Sequence, residues 1–341
     1  MKKKLKLWVD ITRAYALPQC IMPGALALVL AIGIGDFNWG LGLLAIFACC
    51  LVHLAGNMLD DYFDYKYDLL SVRTEMRKQG ILSFTPKYFY LKDGTLTLAQ
   101  LGWIIAAHIV VAIAIGVVIF VYRGWSVVAI AAVVGFLTYF YSGWPFKLAF
   151  HGFGEIIIGI CFGPCLMCGV FESTCGGLYS PETGLYWPIV LMSIAVGIYV
   201  TAILYVHSLI ERDTDKASDK NTFAVLLGTN KAGLAAFAVM LFLPLLLVVG
   251  CVAVGYIHWA YLFVLLQLPR CIWLWRSTYC FMYGIPFDTK NPPKWLGMIE
   301  RLHDAIEHDV DYYVVRWMCM RNINTGFCFT IVLVKIILTL I

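Results

Sequence analysis

Long apolar segments bounded by polar or charged residues dominate the hydrophobic pattern of this chain. Each is about 20 residues long, which as an α-helix matches a hydrocarbon core of about 30 Å. The short alternating runs that are typical of barrel strands do not occur among them. The pattern predicts nine membrane-spanning helices, over residues 16–34, 41–59, 98–121, 126–141, 155–170, 187–210, 232–254, 259–274 and 325–341.

A longer polar stretch, at about 276–324, precedes the last of these segments. Within it, Trp295, Ile299, Leu302 and Ile306 recur at helical spacing with charged residues between them, which predicts an amphipathic helix at the membrane surface. We therefore expect a single membrane domain over 1–341, with a cytoplasmic cap of loops and short helices.

Composition and charge support a multi-pass membrane protein. Of the 341 residues, 61% are hydrophobic and 13% charged, and the mean hydropathy is +0.81. With the N-terminus in the cytoplasm, 23 of the 25 Lys and Arg residues fall on the cytoplasmic side of the nine spans. The net charge of +4 thus reflects topology in a cell membrane, and we expect no nucleic-acid partner.

Four carboxylates follow the second apolar segment. The sequence there reads Asp60-Asp61-Tyr-Phe-Asp64, with Asp68 one turn further on and Asn57 just before. Like charges at this spacing repel one another and are costly near a membrane, so their presence indicates a bound cation.

A second acidic cluster follows the sixth segment. Glu211, Asp215 and Asp219 recur every four residues and so line one face of a helix, as Asp60, Asp64 and Asp68 do. Both clusters follow even-numbered spans, which places them on the same side of the membrane. Two such faces turned toward each other would hold Mg²⁺, while neighbouring Lys and Arg side chains meet phosphate oxygens. The alternative is that each cluster is a solvated helix end.

The turn between the fourth and fifth segments lies between the two clusters along the chain. It runs from Tyr139 through Tyr141 and Trp144 to Glu155 and is rich in Gly and aromatic residues. Lys147 and Glu155 are charged residues at membrane depth and therefore candidate site residues, although a mutual salt bridge would explain them as well.

These residues resemble the motifs of the UbiA superfamily of intramembrane aromatic prenyltransferases. Its first motif, N-D-x-x-D-x-x-x-D, is similar to residues 60–68, with Asp in place of the leading Asn. Its second motif, D-x-x-x-D, is similar to residues 211–215, with Glu in place of the first Asp. Residues 220–228 look like the K-x-T-x-A-V-x-L-G segment that follows the second motif.

Within the superfamily, the chain is most similar to the branch that prenylates 1,4-dihydroxy-2-naphthoate on the way to menaquinone. Residues 13–18, 57–65 and 141–155 carry this resemblance. His207-Ser208 departs from it, since Asn-Asn usually precedes the second motif. The acceptor is therefore open, and hydroxybenzoate, haem and a lipid alcohol are alternatives.

The resemblance implies a UbiA-type helical bundle that uses Mg²⁺ to transfer a prenyl group from an isoprenyl diphosphate to an aromatic acceptor, with release of pyrophosphate. It also implies roles for particular residues. These are metal binding by Asn57, Asp60, Asp61, Asp64, Glu211 and Asp215; diphosphate binding by Arg73, Lys147, Lys216 and Lys220; acceptor binding by Arg13, Tyr141, Glu155, His207 and Ser208; and catalysis by Asp68, with Arg73 and Lys147.

Other functional classes fit the sequence less well. Soluble isoprenyl diphosphate synthases also carry D-D-x-x-D, but nine apolar spans exclude their fold. A phospholipid-type alcohol phosphotransferase would show a D-G-x-x-A-R pattern, which this chain lacks. A cation-coupled transporter would place its carboxylates near the bilayer midplane on broken helices, whereas these lie at helix ends.

Overall fold

A computed structural model describes residues 2–66, 88–217 and 221–341, and the regular structure in these ranges is almost entirely helical. The α-helices are α1 (Lys2–Thr12), α2 (Pro18–Leu30), α3 (Trp39–Lys66), α4 (Phe89–Lys92), α5 (Leu98–Arg123), α6 (Trp125–Ser142), α7 (Gly154–Ile160), α8 (Leu166–Cys175), α9 (Trp187–Ile210), α10 (Arg212–Ala217), α11 (Phe223–Leu227), α12 (Asn230–Ala253), α13 (Leu268–Met282), α14 (Leu302–Glu307) and α15 (Asp311–Leu340). A π-helix, Cys161–Cys165, joins α7 to α8, and the 3₁₀-helices are Ala14–Ala16, Leu148–Phe150, Trp259–Gln267 and Lys294–Leu296. Two short strands are Tyr179–Ser180 and Gly184–Leu185.

The helices confirm an all-α membrane protein but not the count of nine spans. In the described ranges, seven helices are long and apolar enough to cross a membrane, with an eighth if the bent pair Leu5–Thr12 and Ala14–Leu30 is one span. The predicted span 259–274 is divided between a 3₁₀-helix and α13, in whose first turn Pro269 lies. Because proline has no N–H to donate, it is favoured in the first turn of a helix, and Pro269 accordingly lies where the 3₁₀-helix ends and α13 begins.

The last span begins earlier than the sequence predicted. Helix α15 starts at Asp311, not near residue 325, and α13 already covers residues 276–282, so both ends of the predicted insert 276–324 are helical. Polar residues concealed this helix, since Asp311, Arg316 and Asn324 are buried in it. The single amphipathic helix predicted from Trp295 was wrong, because the chain there forms only Lys294–Leu296 and α14.

One compact unit comprises Met1–Leu148 and Cys165–Tyr179. In it, α3 packs against α2, α5, α6 and α8. A cluster of buried side chains from four helices forms part of its core, including Ile11 of α1, Met58 of α3, Tyr90 of α4 and Leu101 of α5.

The side chain of Arg123 caps the C-terminal end of α8. Its guanidinium donates to the carbonyl oxygens of Ser173 at 3.0 Å and Thr174 at 2.8 Å, and it pairs with Asp36 at 3.1 Å. Carbonyls in the last turn of a helix lack intrahelical donors, and a cation also suits the negative end of the helix dipole. Arg123 therefore caps the C-terminal end of α8.

The other compact unit comprises Ala149–Pro164 and Ser180–Ile341. Its central helix is α9, which packs against α7, α12 and α15. A Cβ atom added to Gly163 would lie 2.5 Å from the carbonyl oxygen of Ser193 and 2.6 Å from the amide nitrogen of Gly197. These glycines therefore let two backbones approach more closely than any side chain allows.

We expect Gly163→Ala to lower the stability of the protein by about 1–3 kcal/mol, because the added methyl group must push the two backbones apart. The midpoint of thermal unfolding in detergent measures this effect. Gly116→Ala is the matched control, since nothing lies within 4 Å of a Cβ at that helical position. Equal midpoints for the two variants would contradict the packing argument.

Candidate active site

The first acidic group consists of Asn57, Asp60, Asp61 and Asp64 in the last turns of α3. Asp61 and Asp64 are each only 2% exposed, so these carboxylates are buried in the protein and not dispersed in solvent. An ionised carboxylate is stable in such a place only with donors or cations around it. Asp68 and Arg73, which the sequence assigned to this group, lie outside the described residues.

Asp61 has donors on both carboxylate oxygens. Its Oδ2 accepts from the backbone N–H of Tyr88 at 3.1 Å and from the hydroxyl of Tyr90 at 3.0 Å, and its Oδ1 accepts from Arg13. Burial and the adjacent carboxylate hold the pKa of the Tyr90 hydroxyl above its ordinary value, which keeps it a donor. Asp61 thus binds three parts of its own chain together.

Arg13 lies where the chain bends by 64° between the helical segments Leu5–Thr12 and Ala14–Leu30. Its backbone is left-handed, with φ at 54°, and its side chain pairs with Asp61 and, at 3.5 Å, with Asp60. The Asn57 amide donates to the Thr12 carbonyl at 3.1 Å. Two residues of α3 therefore hold the bend in place, and Arg13 lies directly beside the acidic group.

Asp60 has a further donor from α6. The hydroxyl of Ser142, the last residue of that helix, donates to Asp60 Oδ1 at 2.6 Å. The aromatic rings of Phe63 and Tyr139 meet edge to face 5.6 Å apart, on the same two helices. The end of α6 is thus fixed against the end of α3 by one polar and one aromatic contact.

Tyr141 and Lys147 belong to the segment that leaves this point. Tyr141 is in the last turn of α6, and Lys147 donates its backbone N–H to the Gly143 carbonyl at 2.9 Å. The Lys147 backbone is left-handed, with φ at 43°. Non-glycine residues adopt this conformation at a cost, and it is concentrated at functional sites.

The second acidic group consists of Glu211 and Asp215, immediately after α9. The backbone N–H of Asp215 donates to the Glu211 carbonyl at 2.8 Å, so the two residues are one helical turn apart, as predicted. Asp215 is 2% exposed, whereas Lys216 is exposed. Asp219 and Lys220, which the sequence added to this group, lie outside the described residues.

His207 and Ser208 occupy the last turns of α9, just before this group. His207 Nδ1 lies 2.6 Å from the hydroxyl oxygen of Tyr313, and the Trp317 ring packs edge to face on the imidazole at 5.1 Å. The Ser208 hydroxyl instead donates back to the Leu204 carbonyl at 3.4 Å. Residues of α15 therefore fix the orientation of His207, which the sequence could not indicate because they are more than a hundred positions away.

Glu155 is buried at the start of α7, with 4% of its surface exposed. One carboxylate oxygen accepts from the Phe223 N–H at 3.5 Å, and the other has no hydrogen-bond partner among the described residues. The buried Thr222 hydroxyl beside Phe223 also lacks a partner there. Glu155 thus holds the start of α11, the helix that follows the second acidic group.

The donor set of each acidic group fits a hard cation such as Mg²⁺. Within residues 2–66, 88–217 and 221–341, no three His, Cys, Asp or Glu side chains come close enough to hold a metal ion. Mg²⁺ does not require three, because it commonly takes one or two carboxylates and completes its octahedron with waters and phosphate oxygens. Asp60 with Asp64, and Glu211 with Asp215, each offer such carboxylates at four-residue spacing.

Comparison with known proteins identifies one family. A sequence model of the UbiA prenyltransferase family matches residues 20–283. The chain is 27% identical over 275 residues to the 1,4-dihydroxy-2-naphthoate octaprenyltransferase of Bacillus subtilis, covering 77% of this chain and 79% of that protein. It is 24% identical over 277 residues to the 2-carboxy-1,4-naphthoquinone phytyltransferase of Synechocystis sp., covering 80% and 82%.

Solved structures agree on the fold. The chain is similar to a UbiA homolog from Aeropyrum pernix K1, with a TM-score of 0.57 and 16% identity over 95% of this chain and 98% of that one. It is also similar to a UbiA homolog from Archaeoglobus fulgidus bound to GPP and Mg²⁺, with a TM-score of 0.58 and 11% identity over 93% and 99%. At these identities the likeness establishes the fold alone.

We expect Asp61→Ala to destabilise the protein by about 3–5 kcal/mol, because it leaves Arg13 without its closest counter-charge and two donors without an acceptor. Thermal or denaturant unfolding in detergent measures the loss. Asp36→Ala is the control, since Asp36 also pairs with an arginine but its side chain is 92% exposed; its effect should be at most about 1 kcal/mol. A loss at Asp61 as small as at Asp36 would refute the structural role.

Proposed function

Because this chain belongs to the UbiA prenyltransferase family, we propose that it transfers a prenyl group from an isoprenyl diphosphate to an aromatic quinone precursor. The acceptor we favour is 1,4-dihydroxy-2-naphthoate, because two relatives that cover over three quarters of the chain act, by name, on naphthalene-ring compounds. The observation that carries the proposal is the pair of acidic groups at the ends of α3 and α9, in a chain otherwise poor in charge.

In this proposal Asp60 with Asp64, and Glu211 with Asp215, would each hold Mg²⁺, and the bound metal would supply the positive charge that neutralises a diphosphate and its leaving pyrophosphate. Lys147 and Lys216 bind phosphate oxygens, as do Arg73 and Lys220 from the parts of the chain outside the described ranges. Asn57 and Asp61 act indirectly, since their side chains hold the bend at Arg13.

The chain's residues then act on the two organic fragments. As the allylic carbon–oxygen bond breaks, the faces of aromatic side chains such as Tyr139 can stabilise positive charge on the prenyl group. A ring carbon of the acceptor forms the new carbon–carbon bond and loses its proton to a carboxylate, for which Asp68 is the candidate. The aromatic acceptor supplies the electron pair, so no redox cofactor is required.

Arg13 is the residue that we assign to the carboxylate of the acceptor. Its guanidinium is fixed by Asp61 and Asp60, and 21% of its side chain remains exposed. A guanidinium held in one orientation binds a planar carboxylate with little further loss of entropy. His207, Ser208, Tyr141 and Glu155 remain further candidates for the acceptor.

The distribution of basic residues supports a topology with a cytoplasmic N-terminus in the cell membrane, with the acidic groups facing the cytoplasm.

Other acceptors of the family, namely hydroxybenzoate, haem and a lipid alcohol, are the alternatives within the same reaction class. The acceptor can be identified with a panel of these compounds and of prenyl diphosphates of different length. Mass spectrometry of the products shows which acceptor is prenylated.

We expect Asp64→Asn and Asp215→Asn each to lower Mg²⁺-dependent prenyl transfer at least about 100-fold, since each removes a charge needed to neutralise the diphosphate. Pyrophosphate release and labelled product in detergent measure this, with and without a chelator. Asp213→Asn is the matched control and should retain activity, because its side chain is 90% exposed. If the wild type released no pyrophosphate with any donor and acceptor of the panel, the proposal would fail.

We expect Arg13→Gln to raise the KM for the naphthoate acceptor about 10- to 100-fold and the KM for the prenyl diphosphate by less, because the acceptor loses one charged hydrogen-bonding partner. Arg13→Lys keeps a charge for Asp61 and should show an intermediate effect. The control is an acceptor without a carboxylate, with which wild type and variants should have equal KM. Unchanged KM values for the naphthoate would contradict the assignment.

A further inference from the structure

A cavity of about 350 Å³ opens on the surface of the unit that contains α9. Its lining includes no residue of either acidic group. The junction between the 3₁₀-helix Trp259–Gln267 and α13 forms one wall, and the middle of α15 forms the other. The side chains that matter here are Gln267, Arg270, Asn322, Thr325 and Phe329.

Arg270 places a fixed positive charge in this cavity. Its Nε donates to the Trp295 carbonyl at 2.9 Å and its Nη1 to Gln267 Oε1 at 2.8 Å. Both acceptors are neutral, and Arg270 forms no ion pair with a carboxylate in the described part of the chain. Its other guanidinium N–H groups are therefore available to an anion, which the charge favours.

The walls of the cavity are held rigidly. Asn322 donates to the carbonyl oxygens of Leu296 and Met298, each at 3.0 Å, and so ties the segment around Gly297 to α15. Gly326 lies against the buried Gln267 amide, where a Cβ would come within 2.7 Å of both terminal atoms of that side chain. Because these contacts already fix the side chains that line the cavity, a ligand can bind there without rearranging them.

The surface next to the cavity is apolar. On α15, Phe329, Leu333 and Ile337 are 59%, 45% and 45% exposed and recur every four residues, so they form one stripe. On the 3₁₀-helix that packs beside α15, Phe263 and Leu266 are 53% and 68% exposed. In a membrane-spanning chain, exposed apolar faces of this kind contact lipid acyl chains.

We propose that this cavity binds the phosphate headgroup of an anionic phospholipid whose acyl chains lie on the adjoining faces of α15 and the 3₁₀-helix. Arg270 donates to the phosphate oxygens, and Thr325, an exposed residue, lies at the same opening. Basic pockets between membrane helices recognise lipid headgroups in this way. A free anion would use only the polar part of the surface, whereas a phospholipid uses both parts.

The test is native mass spectrometry of the full chain in detergent, titrated with phosphatidylglycerol or with phosphatidylcholine of the same acyl chains. We expect wild type to retain phosphatidylglycerol at least about five-fold more strongly, the ratio that one favourable charge contact of about 1 kcal/mol gives. Arg270→Gln should abolish this preference and Arg270→Lys should keep part of it. Arg276→Gln is the matched control, since Arg276 is an exposed arginine on the same helix that does not line the cavity.

A second variant keeps the test decisive if Arg270→Gln does not fold. Thr325→Leu puts an apolar side chain at the opening and should weaken phosphatidylglycerol retention without removing a charge. Equal retention by wild type and Arg270→Gln, or no preference over phosphatidylcholine in wild type, would overturn the proposal. Displacement of the lipid by millimolar inorganic phosphate would also overturn it, in favour of a site for soluble anions.

Discussion

An ionised carboxylate buried in an apolar protein must be matched by donors, and in the unit containing α3 that requirement is met at Asp61. Three separate parts of the chain converge on its two oxygens: the bend at Arg13, the backbone of Tyr88 and the hydroxyl of Tyr90. Arg13 and Tyr88 both have left-handed backbones, which cost energy at non-glycine residues. The hydrogen bonds and the ion pair that Asp61 accepts offset that cost. The Asp61 side chain therefore fixes the positions of α1, α3 and α4.

The contacts of Asp61 also give it a different role from Asp60 and Asp64. Asp61 is surrounded by its own chain, whereas Asp60 shares Arg13 and accepts from Ser142, and Asp64 lies one turn further along α3. Three neighbouring acids would repel one another strongly if none were compensated internally. Compensating Asp61 lowers that repulsion and supplies a positioned guanidinium beside the remaining carboxylates. The carboxylates that the sequence places side by side are therefore partly neutralised by Arg13 in the folded protein.

The sequence predicted the features that local pattern determines. Apolar length indicated the membrane helices, and four-residue spacing placed Glu211 and Asp215 one turn apart. The sequence could not indicate Tyr90, which contacts Asp61, or Tyr313, which contacts His207. Neither tyrosine lies in a motif, and many residues separate each from its partner along the chain. Nor could the sequence place the start of α15, since Arg316 reads as a loop residue until it is seen to be buried there and to donate to the carbonyls of Tyr312 and Ser277.

Arg316 and Arg270 show why an arginine without a carboxylate partner is not by itself a binding site. Arg316 is 2% exposed, donates to the carbonyls of Tyr312 and Ser277, and lies over the Phe281 ring at 5.0 Å. Arg316 is buried among these contacts, and its side chain ties α13 to α15. Arg270 is also fixed by neutral acceptors, but it borders a cavity beside an exposed apolar surface. The open volume beside Arg270, more than its lack of a carboxylate partner, distinguishes a ligand site from an arginine such as Arg316, which only holds two helices together.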